Sequence, residues 1–179
     1  MTRDPAGDVG PRLLSAAVPV LLSGTQLGNG IKLLLWQYRE ATRESSVTLG
    51  ALLQLCALLE GAIGLVLRHK LGLSKSAIDK LPLPSGQVGR PGVAEARFYE
   101  ASTRLGFSWA TEFGPVFQKW KDVRNSLAHG ELMKIDRSSG RETLAKYHAV
   151  LQAFNAIILR AIDYKGSVSV DGNWYAVKA

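Results

Sequence analysis

VTLGALLQLCALLEGAIGLVLRHK, residues 47–70, decides the class of fold that this chain can adopt. From Val47 to Leu67 the only charged side chain is Glu60, and a segment of that length could cross a bilayer. However, an acidic residue near the middle of a spanning helix costs roughly 2.5 to 3.5 kcal/mol, and Gln54 adds to this cost. The segment therefore predicts a core helix surrounded by other helices. Glu60 is then either at a water-facing rim or paired with a cation or hydrogen-bond donor.

The flanking sequence predicts more helices of the same kind, because apolar residues recur in it at helical spacing. We expect these helices at Pro11–Leu22, Ile31–Glu44, Val93–Leu105, about Pro115–Gly130 and about Glu142–Tyr164. The last helix carries a stripe predicted to be core: Leu144, Tyr147, Val150, Leu151, Phe154, Ile157, Ile158 and Ile162. The Gly-rich stretch Gly24–Gly30 and the Pro- and Gly-rich stretch Leu81–Gly92 read as connections.

The fold class that follows is all-α, a helical bundle of four to five main helices. After the last helix, SVSVDGNWYAVK alternates like a strand on both sides of Asp171-Gly172, which predicts a small C-terminal β-hairpin. With 179 residues, 46% of them hydrophobic and 21% charged, the chain fits one globular domain. We expect a flexible leader over residues 1–10 and a single helical domain over residues 11–179.

Charge and cysteine content bear on partners and compartment. Lys and Arg outnumber Asp and Glu by 22 to 15, and the formal charge of +7 favours approach to polyanions such as nucleic acid or an anionic membrane surface. The single cysteine, Cys56, can form no internal disulfide and reads as core, which suits a reducing cytoplasm. Asp4, Asp8 and Pro19 disfavour a signal peptide, so we expect a cytoplasmic protein.

One polar set is not explained by packing: Arg124, Asn125 and His129 on the predicted helix at about Pro115–Gly130, and Glu60 far upstream. His can move a proton near neutral pH, Arg can bind two phosphate oxygens, and Asn can orient either partner. This set could cleave RNA without a metal, since the RNA 2′-hydroxyl supplies the nucleophile. Spacing alone also allows a solvated Arg124 and a His129 that only caps the helix end.

The run R-N-S-L-A-H, Arg124–His129, resembles the signature of the HEPN superfamily of all-α domains: an Arg, a polar residue, and a His a few residues later. LCALLEGAIGLVL resembles the earlier HEPN helix that presents an acidic residue towards that motif, and IDYKGSVSVDGNW resembles the end of the Apea-like branch. The resemblance covers about Ile31 to Trp174. It implies that Arg124 and His129 are the catalytic pair, with Asn125 as their support and Glu60 as the orienting carboxylate.

By that resemblance the chain is a metal-independent endoribonuclease, with its site at a homodimer interface, acting as a toxin or phage-defence effector. Its partners would be RNA, a second copy and a regulatory or antitoxin protein, with no membrane, cofactor or metal. Lys121, Lys134 and Arg137 would follow the RNA backbone. Two alternatives stay open: a non-catalytic HEPN-like module that binds RNA, nucleotide or protein, and a membrane-associated helical protein built on Val47–Leu67.

Overall fold

A computed structural model describes residues 9–43, 49–86, 93–128, 140–166, 168–170 and 173–175. Over these ranges the chain is mostly helical, which confirms the predicted all-α class. The helices are α1 (Val9–Leu22), α2 (Gln26–Ala41), α3 (Leu49–Leu65), α4 (Lys75–Ile78), α5 (Ala94–Arg104), α6 (Gly114–Ala128) and α7 (Gly140–Ala161). Two π-helical turns, Val66–Lys70 and Trp109–Phe113, extend α3 and precede α6, and the strands are β1 (Val168–Val170) and β2 (Asn173–Tyr175).

Helices α1 and α2 form a hairpin around a short turn. Thr25 caps α2, because its hydroxyl accepts a hydrogen bond from the Gly28 backbone N–H, as expected of a Thr at this position. The prediction that all of Gly24–Gly30 is a connection is therefore wrong, since α2 already begins at Gln26. Gly28 is helical and a Cβ there would lie 2.2 Å from the Val20 carbonyl oxygen, so this glycine permits the close approach of α1.

Helix α3 is the central helix and packs against α2, α6 and α7. Its inner side chains are fully buried: Leu52, Leu55, Leu59, Ala62 and Ile63. The expectation that other helices surround α3 is wrong for one face, however. Leu53, Gln54, Ala57 and Gly61 are exposed, and their spacing puts them on one side of the helix. The neighbouring helices cover only the rest of its circumference.

The apolar segment of α3 also meets the length and composition of a membrane span. Gly50–Lys70 is the one such helix among the described residues, with a mean hydropathy of 1.9, and 56% of its most apolar part is buried within the fold. A core helix meets the same criterion. Glu60 is half-buried at the edge of the exposed face, which is the rim position that the sequence allowed.

Helix α7 supplies the other half of the core. Val150, Phe154, Ile157, Ile158 and Ile162 of its predicted stripe are buried, and Tyr147 and Leu151 are half-buried. Leu144, on the second turn of α7, is 42% exposed, so its assignment to the core is wrong. At the other end, the Asp163 carboxylate pairs with the Lys70 ammonium and fixes the end of α7 beside the end of α3.

The predictions for the shorter elements have mixed outcomes. Helix α5 lies within the predicted Val93–Leu105, and α6 begins at Gly114, one residue before the predicted Pro115. Strands β1 and β2 pair antiparallel, whereas the turn residues 171 and 172 lie outside the described residues, so the hairpin stays a prediction. The same holds for most of the predicted leader, of which only residues 9 and 10 are described, as the start of α1.

Candidate active site

The sequence before α6 determines where this helix begins. The Ser108 hydroxyl accepts a hydrogen bond from the Thr111 backbone N–H, and the Glu112 carboxylate accepts one from the Ser108 backbone N–H. Such reciprocal bonds satisfy donors at a helix start that have no partner within the helix. Gly114 follows, where a Cβ would lie 2.6 Å from the Trp109 carbonyl oxygen. These residues fix the direction in which α6, the helix of the R-N-x-x-x-H motif, leaves the turn.

The inner face of α6 is held against α3 by an aromatic side chain. Val116, Phe117, Trp120 and Val123 are buried and recur at helical spacing. The Trp120 indole N–H donates a hydrogen bond to the backbone carbonyl of Cys56 on α3, at 3.1 Å. This bond fixes the rotation of the indole ring as well as the position of the helix. Phe117 stacks on the same ring at 5.6 Å between centroids.

Four contacts show that α6 runs antiparallel to α3. The Phe107 ring contacts both Phe113, just before α6, and the Arg160 guanidinium near the end of α7. That end of α7 is joined to the end of α3 by the Lys70–Asp163 ion pair. Farther along, α6 meets the middle of α3 through Trp120 and Cys56. The start of α6 therefore lies near the end of α3.

This direction decides how the two predicted charges are placed. Arg124 lies one turn beyond Trp120, towards the start of α3, whereas Glu60 lies one turn beyond Cys56, towards the end of α3. Their backbones are therefore roughly two helical turns, about 11 Å, apart along the axes. Among the described residues no ion pair joins Glu60 to Arg124.

The Cys56 thiol responds to both charges. Its pKa is raised to about 12, mostly by burial and in part by the negative charge of Glu60, while the positive charge of Arg124 acts to lower it. Glu60 on α3 and Arg124 on α6 therefore both lie close enough to the Cys56 thiol to affect its pKa. The thiol itself stays protonated near neutral pH, so Cys56 is core, as predicted, and not a nucleophile.

Arg124 is exposed, with its guanidinium carbon 5.4 Å from the centroid of the Trp120 ring. A cation at this distance is attracted to the ring. The guanidinium is a planar fork of N–H donors, which fits two oxygens of a phosphate. Trp120 thus restricts Arg124 through its ring.

The other predicted site residues divide into described and undescribed ones. Lys121 and Asn125 are exposed on α6, and with Arg124 they occupy spacings i, i+3 and i+4, which share one helix face. A cation, a guanidinium and an amide therefore face solvent together. His129, Lys134 and Arg137 lie outside the described residues, so their placement stays a prediction.

Trp120 is the site residue that the sequence analysis missed. Its signal was present as the spacing W-x-x-x-R, Trp120 to Arg124, which places an aromatic ring one turn before the Arg on the same face. That spacing occurs often in helices, and only the bond to Cys56 distinguishes this pair. Within the described part of the chain, no group of three or more His, Cys, Asp or Glu side chains could hold a metal ion.

No family model, curated protein or solved structure matches this chain. The resemblance to HEPN domains therefore stays a prediction from the quoted residues.

Proposed function

We propose that this protein is a metal-independent endoribonuclease of the HEPN type, built as a bundle of four to five main helices with a C-terminal hairpin. The observation that carries the proposal is the exposed Arg124, whose guanidinium lies 5.4 Å from the centroid of the Trp120 ring, on the same helix face as Lys121 and Asn125. A preorganised guanidinium is suited to an anion whose charge increases during reaction. The net charge of +7 favours the approach of a polyanion.

In the proposed reaction the RNA 2′-oxygen attacks the adjacent phosphorus, and the bond from phosphorus to the 5′-oxygen breaks. His129 accepts the proton of the 2′-hydroxyl or delivers one to the leaving 5′-oxygen. Two copies of His129 in a homodimer would divide these two tasks. Arg124 neutralises charge on the phosphate oxygens, and Asn125 orients the phosphate or the imidazole. The products are a 2′,3′-cyclic phosphate and a 5′-hydroxyl.

Glu60 is the orienting carboxylate for Arg124 or His129 in this proposal. Its charge and that of Arg124 both act on the Cys56 thiol, which supports the nearness of both side chains to one point of α3. Lys121, with Lys134 and Arg137, would hold the flanking RNA backbone. A cytoplasmic toxin or defence effector of this kind would be restrained by a regulatory or antitoxin protein.

The test is cleavage of mixed RNA by the purified protein in EDTA, comparing wild type with Arg124→Ala and His129→Ala. Arg104→Ala, an exposed arginine on α5, is the matched control. We expect wild type and the control to cleave and both site variants to lose about a hundredfold or more of the rate. Arg124→Lys keeps the charge but loses the two-pronged phosphate contact, so its activity should fall between the two.

Substrate chemistry supplies a second readout. An RNA with a single 2′-deoxy nucleotide at the cleaved position should resist cleavage there, and the products of normal RNA should end in a cyclic phosphate. Equal cleavage by all variants would refute the proposal. Binding of RNA that depends on Arg124, without cleavage, would instead support the non-catalytic module. Sedimentation at the concentrations of the assay checks that the active species is a dimer.

A further inference from the structure

Helix α1 is apolar on two sides. Its inner side chains Leu13, Ala17 and Leu21 pack against the core, and Leu14, Val18 and Leu22 are exposed, Leu22 by 80%. The exposed three recur every four residues, so they form one row along the helix. The only charged side chain in α1 is Arg12. A helix of this composition is typical of one covered from both sides, whereas the described fold covers only one.

Helix α2, the other helix of the hairpin, also exposes apolar side chains. Leu33 and Trp36 are exposed, Trp36 by 61%. Lys32, Trp36 and Arg39 recur at i, i+4 and i+7, which places the indole between two cations on one face. Arg43, also exposed, follows just after the end of α2 and forms an ion pair with Glu40 at 3.8 Å. We call the exposed rows of both helices the hairpin surface: Leu14, Val18, Leu22, Lys32, Leu33, Trp36, Arg39 and Arg43.

The charge of the hairpin indicates what kind of partner covers this surface. Residues 9–43 carry four cations, Arg12, Lys32, Arg39 and Arg43, against the single anion Glu40. A second copy docked on the same surface would bring two positively charged faces together, which costs energy. Nucleic acid would match the cations and could stack on Trp36, but it would leave the aliphatic row of α1 in water. A bilayer surface with anionic headgroups matches both.

We propose that the hairpin surface docks peripherally on membranes that contain anionic phospholipid. Trp36, Leu33 and the α1 row enter the boundary between headgroups and acyl chains, where Trp is favoured. The cations of α2 contact the anionic headgroups. We expected no membrane partner because residues 47–67 were unsuitable as a membrane-spanning helix. The hairpin surface belongs to other helices, and docking on a membrane surface requires no spanning helix.

The test is flotation of the full chain with vesicles of phosphatidylcholine alone or with about a third phosphatidylserine, an amount that gives a strong negative surface potential. We expect binding to the anionic vesicles, weakened by added salt. Trp36→Gln should weaken it at least about tenfold because a large apolar side chain no longer inserts. Each of Lys32→Gln and Arg39→Gln should weaken it about fivefold.

The controls are matched by chemistry and exposure. Leu144→Gln changes another exposed leucine, on α7, and Lys80→Gln another exposed lysine. Both should bind like wild type, as should Arg124→Ala, because docking is independent of the RNA site. The substituted side chains of the hairpin surface are exposed, so the variants should keep the wild-type melting temperature.

Three results would overturn the proposal. The first is no binding to anionic vesicles at low salt, or equal binding by all variants. The second is a wild-type dimer in light scattering that Trp36→Gln makes monomeric without any vesicle binding, which would assign the surface to a second copy. The third is RNA binding lost in Trp36→Gln in the absence of vesicle binding, which would assign it to nucleic acid.

Discussion

Replacing Trp120 by Phe is expected to lower the free energy of unfolding by about 2 kcal/mol. Phe keeps an aromatic ring at a position that is 2% exposed, but it lacks the indole N–H that binds the Cys56 carbonyl. Loss of that bond costs about 1 kcal/mol, and the smaller ring leaves a gap that costs about 1 kcal/mol more. In a chain of this size the melting temperature should fall by about 4–8 °C.

The measurement is urea denaturation followed by circular dichroism, with Trp36→Phe as the control. It makes the same chemical change at a site that is 61% exposed, and it should shift the stability by no more than about 0.5 kcal/mol. If Trp120→Phe is as mild as Trp36→Phe, then the indole does not hold α6 to α3 in the way described. A double-mutant cycle of Trp120→Leu with Arg124→Gln, in which no aromatic ring remains, then reports the cation–π contact, for which we expect a coupling of about 0.5–1 kcal/mol.

Two further predictions concern single side chains. The pKa of Cys56 is raised from 9.0 to about 12, so above pH 9 the unfolded chain releases a proton that the folded chain keeps, and stability falls with pH. Between pH 8 and pH 10, wild type should lose about 1.4 kcal/mol more than Cys56→Ala; parallel pH curves would contradict this. Asp163 has a φ of 60° and pairs with Lys70. Asn tolerates that backbone conformation, so Asp163→Asn should lower the free energy of unfolding by about 0.5 kcal/mol, and Asp163→Ala by about 1 kcal/mol more. Equal losses in urea denaturation would argue against backbone strain.

The sequence by itself determined the helices, because their signals are local. The spacing of apolar residues predicts α3, α5 and α7 to within a few residues. The buried state of Cys56 also follows from its apolar run. The chemistry of the candidate site, a guanidinium and an amide on one helix, could be read from Arg124 and Asn125 alone.

Only the tertiary structure decided which helix face meets which. A sequence does not show that α6 runs antiparallel to α3, since that depends on contacts between residues far apart in the chain, such as Trp120 and Cys56. This direction places the backbones of Arg124 and Glu60 on opposite sides of the contact between Trp120 and Cys56. In the same way Leu144 and Trp36 are apolar residues at helical spacing, yet both are exposed. Periodicity identifies the apolar sides of a helix, and packing determines which of them are covered.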